Sequence, residues 1–186
     1  AHVFIRNIQR VNIINPKSYV SASFVLQSMS KATIILDAIH TNHFIFEAET
    51  VSDSTIRLQN LAVHHVSQID VINVRASDDT MFHITKSTLL PWATSPTPVL
   101  FNNVTWDSSH VLIEDSTIVT RPFAEVQYYA FSGLSFAPKV ASKPNTILGS
   151  SSISVLSSSI DLSRSSGFSS TAVSLSNIQL DSTAAV

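Results

Sequence analysis

The sequence predicts an all-β chain, and within that class a parallel β-helix, a solenoid of about six stacked coils. Three observations carry the expectation. A short apolar pattern recurs along most of the chain. β-branched residues and Ser dominate, and no window of about a dozen residues holds a helical period. Only 3 of the 186 residues are Gly, and neither Asn-Gly nor Asp-Gly occurs. A meander of tight hairpins therefore lacks its usual turns.

The pattern reads apolar, any, apolar, two residues, apolar. It appears as Val3-Ile5-Ile8, Phe24-Leu26-Met29, Ile34-Leu36-Ile39, Ile56-Leu58-Leu61, Ile69-Val71-Val74, Val99-Phe101-Val104, Val126-Tyr128-Phe131 and Val173-Leu175-Ile178. A variant with four residues before the last apolar position appears at Phe82-Ile84-Leu89, Val111-Ile113-Ile118 and Ile153-Val155-Ile160. Phe44-Phe46 starts the same way and then meets Glu49. The first two apolar positions share one face of a strand, because side chains alternate. The pair that follows, such as Gln59-Asn60, Asn102-Asn103 or Ser176-Asn177, shifts the phase. Asn tolerates the left-handed backbone region and suits a sharp corner between short strands.

The units sort into two interleaved series. One starts at Val3, Ile34, Ile56, Phe82, Val111 and Val173, with a degraded member near Ile147; the other starts at Phe24, Phe44, Ile69, Val99, Val126 and Ile153. Most steps within a series are about 20 to 30 residues, the range of solenoid repeats. Six coils at about 4.8 Å each would make a rod of about 30 Å. A parallel connection is expected to be right-handed. The all-β alternative, a β-sandwich or jelly roll, needs antiparallel returns that this turn chemistry serves poorly.

Loops are expected at 90–98 and 137–145, where Pro91, Pro96, Pro98, Pro138 and Pro144 fall. From residue 141 onward about a third of the residues are Ser. The apolar pattern persists there, so 141–186 reads as continuing solenoid and not as a linker. The whole chain, 1–186, reads as one segment of a longer polypeptide, since it begins directly on a strand pattern and ends without a cap.

Composition excludes several classes. Hydrophobic residues make up 44% and charged residues 13%, about half the usual charged share. A net charge of −2 without a basic block argues against nucleic acid as a partner. No apolar run approaches the about 20 residues of a membrane-spanning helix. The chain has no Cys, hence no disulfide framework and no thiolate metal site. Clustered glycines are missing, which rules out the Rossmann and P-loop phosphate motifs.

Units such as Ser-Thr-Ile-Arg-Leu-Gln-Asn-Leu at 54–61 and Thr-Ala-Val-Ser-Leu-Ser-Asn-Ile at 171–178 resemble the coils of right-handed parallel β-helices of the pectin-lyase-like superfamily. The Ser- and Thr-rich texture also resembles the large β-helical surface proteins of kinetoplastid protists, the dispersed gene family type. The first resemblance implies a test for polysaccharide cleavage, because enzymes of that fold work with carboxylates and basic residues clustered on an outer sheet face.

The local candidates for such chemistry are Asp78, Asp79 and His83. Glycoside hydrolysis needs two carboxyl groups at a defined separation. The family's hydrolases carry an Asp pair beside Asn-Thr-Asp and Gly-His-Gly segments, and this chain has neither companion. The plainer reading makes Asp78-Asp79 an exposed turn ahead of the Phe82 strand. Among the seven histidines, His64 and His65 should point to opposite faces of a strand. His40 and His43 bracket a corner, with Asp37 and Glu47 near in sequence. A zinc site needs three or four convergent ligands, and partly exposed histidines on a polar face are the simpler expectation. Ser is too abundant for a Ser-His-Asp triad to be read by counting, and no Gly-x-Ser-x-Gly elbow occurs. Asn103-Val104-Thr105 is the sole Asn-x-Ser/Thr sequon, which makes Asn103 the candidate for N-glycosylation in a secreted chain. Trp92, Trp106 and one of Tyr128-Tyr129 are candidate outward aromatics.

These readings converge on a structural or interaction scaffold of an extracellular or cell-surface assembly, such as an adhesin, filament or appendage component. The expected partners are further coils, other protein subunits or glycans. No cofactor and no metal are expected. A carbohydrate-active β-helix enzyme and a phage tailspike or fibre domain are the alternatives.

Overall fold

The computed structural model describes residues 2–4, 10–14, 21–39, 41–61, 66–89, 97–119, 131–136, 145–161, 170–175 and 178–180. Among these there are twenty strands and no helix. In chain order they are β1 (His2–Phe4), β2 (Arg10–Ile14), β3 (Ser21–Ser30), β4 (Thr33–Asp37), β5 (Thr41–Ser52), β6 (Thr55–Gln59), β7 (Val66–Ile72), β8 (Arg75–Ser77), β9 (Met81–Thr85) and β10 (Thr88–Leu89). Then follow β11 (Val99–Asn102), β12 (Thr105–Asp107), β13 (His110–Glu114), β14 (Thr117–Val119), β15 (Phe131–Phe136), β16 (Asn145–Leu148), β17 (Ser152–Leu156), β18 (Ser159–Asp161), β19 (Ser170–Leu175) and β20 (Ile178–Leu180).

The strands form three sheets. One has the order β2-β4-β6-β9-β13-β17, a second has β10-β14-β18, and the third and largest has β19-β15-β11-β7-β5-β8-β12-β16-β20, with β3 beside β5 and β1 beside β3. The pairings among described residues are parallel, as in β4 with β6 and β13 with β17, which removes the sandwich and jelly-roll alternative. The chain passes back and forth between sheets, and hydrogen-bonded neighbours are never consecutive strands among the described residues. Ile34, Ile56, Phe82, Val111 and Ile153 lie in one register row, 22 to 42 residues apart.

Two rows differ from the series read in the sequence. Val3 pairs with Phe24, and Val11 is the register partner of Ile34. Phe24 pairs with Phe46 instead of Phe44. At the other end Val99 pairs with Leu134, and Leu134 with Val173, while Ile153 continues the Val111 row. Val173 and Ile153 therefore exchange places. An apolar-x-apolar signature is short, and Leu134-x-Phe136 satisfies it as well as Val126-x-Tyr128 does, so only pairing chooses between them.

The turns between strands explain the scarcity of Gly. Positive φ values occur in three columns. Lys31, Asp53, Asp78, Asp79, Ser108 and Gly149 precede strands of the six-stranded sheet; Ala38, Asn60, Lys86, Asp115 and Ser157 follow them; Asn73 and Asn103 separate β7 from β8 and β11 from β12. None is β-branched, the type that tolerates this region least. Each left-handed residue costs about 1–2 kcal/mol, offset by backbone bonds to the neighbouring strand: Lys31 N–H donates to Ser52 O, Asn60 N–H to Thr85 O and Lys86 N–H to Glu114 O.

Ser residues, Ser87 and Ser116 buried and Ser158 half-buried, complete these turns. Ser87 Oγ accepts from Leu61 N–H and donates to Thr85 O; Ser116 Oγ accepts from Ser87 N–H and donates to Glu114 O; Ser158 Oγ accepts from Ser116 N–H. Each hydroxyl uses its donor and an acceptor lone pair on backbone that would otherwise be unpaired. Part of the Ser content is thus internal.

The core lies on the inward faces. The first two apolar positions of the pattern are buried in β4, β6, β7, β9, β11 and β13, and Ile153 and Val155 pack half-buried against them. Trp106 also belongs to the core, at 1% exposure, edge-on to Phe101 at 5.7 Å between ring centroids. It is therefore not an outward aromatic. The loop expected at 137–145 ends earlier, because Asn145 opens β16 and is fully buried. Residues 90–96 and 137–144, and with them Trp92, lie outside the described residues, as do Tyr128 and Tyr129.

Gly149 is the one Gly among the positive-φ residues. A Cβ there would collide with Ser108 Oγ and come within 2.8 Å of Asp107 Oδ1. Gly149→Ala is expected to lower stability by about 1–2 kcal/mol, read by thermal unfolding. Because Ser108 Oγ is the nearer obstacle, the cost should shrink in a Ser108→Ala background. An undiminished cost there would refute the steric account.

Candidate functional site

Asp78, Asp79 and His83 lie on and beside the outer face of the six-stranded sheet. In β9, Phe82 and Ile84 take the inward positions. Alternation turns Met81, His83 and Thr85 the other way. Register places Arg57 of β6, His83 of β9 and Leu112 of β13 in one outer row, and Gln59, Thr85 and Glu114 in the next.

His83 is 5% exposed although it faces outward. Its Nε2 lies 3.2 Å from Glu114 Oε2, within ion-pair reach but off hydrogen-bond alignment, and neither ring nitrogen has a hydrogen-bond partner. Burial, reinforced by the Arg57 charge, holds the imidazole below its ordinary 6.5, while Glu114 pulls the other way. Between the lowered folded value and 6.5 the unfolded chain binds more protons, so stability rises with pH across that window. The contribution is complete above 6.5 and is lost as pH falls toward the folded value. Unfolding midpoints measured between about pH 5 and about pH 8 should drop on the acid side, and His83→Gln should flatten that part of the profile.

Asp78 and Asp79 form the turn ahead of β9, both with positive φ, 54° and 59°. Two consecutive left-handed residues are the signature of an inverse turn. Ser77 Oγ donates to Asp78 Oδ2 at 2.9 Å, Thr80 Oγ1 donates to Ser77 O at 2.7 Å, and Asp79 N–H donates to Ser108 O. The turn borders two open depressions of about 380 and 590 Å³, to which Lys31 and Asp53 also contribute. The imidazole beside Asp79 is that of His110, whose Nε2 is 3.7 Å from Asp79 Oδ1. His110 Nδ1 meets Ser152 Oγ at 2.8 Å. The structure thus puts Asp78 and Asp79 together, and gives His83 different ionic neighbours, Arg57 and Glu114.

The other candidates separate. His43 Nε2 pairs with Asp70 Oδ2 at 2.9 Å, and Gln68 Nε2 donates to Asp70 Oδ1 at 2.8 Å. Asp70 is 2% exposed. Asp37 instead accepts from Gln59 and Asn60, and Glu47 accepts from Asn73. Among the described residues no three His, Cys, Asp or Glu side chains gather as a metal site. His40, His64 and His65 lie outside the described residues. Asn103 occupies its turn with φ 55°, and its Nδ2 donates to Asn73 Oδ1 at 2.6 Å.

Arg57, Glu114, His110 and Asp70 were not singled out in the sequence. Each meets its partner across roughly 26 to 31 residues of chain, a distance that becomes adjacency only through strand register. The available signal was the alternation that places Arg57 and His83 on the same side of their strands.

No protein-family model matches the chain, and no curated protein or solved structure matches it. Among the described residues no helix is long and apolar enough to cross a membrane.

Proposed function

We propose that this chain is a stretch of right-handed parallel β-solenoid of about six coils, of pectin-lyase-like form. On this reading it serves as a structural or interaction scaffold in an extracellular or cell-surface assembly. The observation that carries the proposal is the register. Parallel neighbours 21 to 42 residues apart recur in each sheet, and the turns between them fall in columns. A stack of this kind adds length through nearest-neighbour contacts alone. Among the described residues its end strands are paired on one side only, an edge that suits further coils or other subunits.

Cryo-electron microscopy of the native source particles, with the intact mass of the chain, tests this reading. A rod or filament containing this segment as one part is the expected result. A compact monomer with capped ends would overturn it. Cleavage of an acidic polysaccharide that Asp79→Asn abolishes would replace the scaffold with an enzyme.

A further inference from the structure

Four buried side-chain atoms among the described residues lack a hydrogen-bond partner: Arg57 Nε, both ring nitrogens of His83, and Trp106 Nε1. Three of the four lie at one place, where His83 Nε2 has Glu114 Oε2 at 3.2 Å, which leaves Arg57 Nε and His83 Nδ1 without a neighbour of that kind. Arg57 and His83 are register partners on β6 and β9, on the outer face, since Ile56, Leu58, Phe82 and Ile84 fill the inward positions. Unmade buried hydrogen bonds are costly, and native proteins keep few of them. Trp106 Nε1 is enclosed in the core, whereas Arg57 is half-buried and reaches solvent on the outer face, with the closed-over His83 nitrogens beside it. No described carboxylate forms an ion pair with Arg57.

We propose that Arg57 and His83 form a binding site for a carboxylate or phosphate group on the outer face of β6, β9 and β13. The guanidinium fork matches either group with two parallel N–H bonds. In the tautomer that carries its proton on Nε2, toward Glu114, His83 Nδ1 is an acceptor, and protonation makes it a donor. The charged groups beside His83 are Arg57 from β6 and Glu114 from β13; His110 of β13, with Asp79 at 3.7 Å, stands level with Met81 in the adjacent outer row. In the empty site burial and Arg57 oppose the imidazolium. A bound anion offsets the Arg57 charge, so binding and proton uptake reinforce each other and affinity rises as pH falls. The site stands independently of the scaffold reading.

Nuclear magnetic resonance of the full chain with labelled His tests the proposal, using inorganic phosphate and acetate as separate probes at about pH 6 and about pH 8. A saturable shift of the His83 resonances is expected, tighter at the lower pH. Arg57→Gln should weaken binding roughly ten- to a hundredfold. Arg57→Lys keeps the charge without the fork and should also weaken it; this variant decides the matter if Arg57→Gln fails to fold. Saturation by phosphate alone identifies a phosphoryl ligand, and saturation by acetate identifies a carboxylate. Absence of saturation with both probes, or unchanged affinity in the folded Arg57 variants, would overturn the site.

Discussion

Phe101→Ala is expected to destabilise the chain by about 3–5 kcal/mol, the range for removing a buried aromatic side chain. Phe101 is fully buried and touches three aromatic rings on different strands. It stacks on Phe136 at 4.4 Å between centroids and meets Phe82 edge-on at 5.6 Å and Trp106 edge-on at 5.7 Å. Its backbone pairs with Val71 on one side and Phe136 on the other. Truncation removes the ring contacts together, and neighbouring strands held by ladder bonds cannot close over the space. Urea unfolding measures the effect, with near-ultraviolet circular dichroism reporting the aromatic cluster. Phe101→Leu should cost less, since it keeps much of the volume. A loss below about 1 kcal/mol for Phe101→Ala would mean that the rings do not form a packed cluster.

Asn145→Ala should be nearly as damaging, at about 2–4 kcal/mol, because it strands two buried backbone groups at once. Asn145 Oδ1 accepts from Val104 N–H at 2.9 Å, and its Nδ2 donates to Phe101 O at 3.2 Å. A primary amide carries the same acceptor and donor as a peptide group, so the side chain acts in place of ladder backbone. Asn145→Asp separates the two halves of that role. It keeps the acceptor but sets a buried carboxylate against the Phe101 carbonyl, so its cost should grow as pH rises and the group ionises. Thermal unfolding of both variants across pH checks the pair. An Asn145→Asp variant as stable as the parent at neutral pH would rule out the peptide-mimic role.

Asn145 also marks the limit of sequence patterning. Its register partner is Ile178, and Thr146 beside it pairs with Thr105, so it stands level with Val104. That position is the third apolar site of the recurring pattern. A polar residue there, close to Pro144, reads as a loop, although its side chain is satisfied internally. The inverse error occurred at Trp106, which lies just past the Asn102-Asn103 turn and reads as a surface aromatic. Strand alternation in β12 buries it between the exposed Asp107 and the half-buried Thr105.

Turns were legible in part. Asn60, Asn73 and Asn103 announce themselves, because Asn enters the left-handed region readily. Lys31, Ala38 and Lys86 adopt the same backbone sign without such a signal. Their conformation is held by bonds to Ser52, Gln59 and Glu114, acceptors 21 to 28 residues away, and no local window contains both partners.

By itself the sequence determined the all-β class, the absence of helix among the described residues, and which alternating positions turn inward. These follow from the two-residue period of a strand and from the need to bury apolar surface. Only the tertiary structure decided which Val or Leu faces which strand, and that Arg57, His83 and Glu114 share one outer face. Register is a property of paired strands. A two-residue shift preserves every inward and outward position while changing every neighbour.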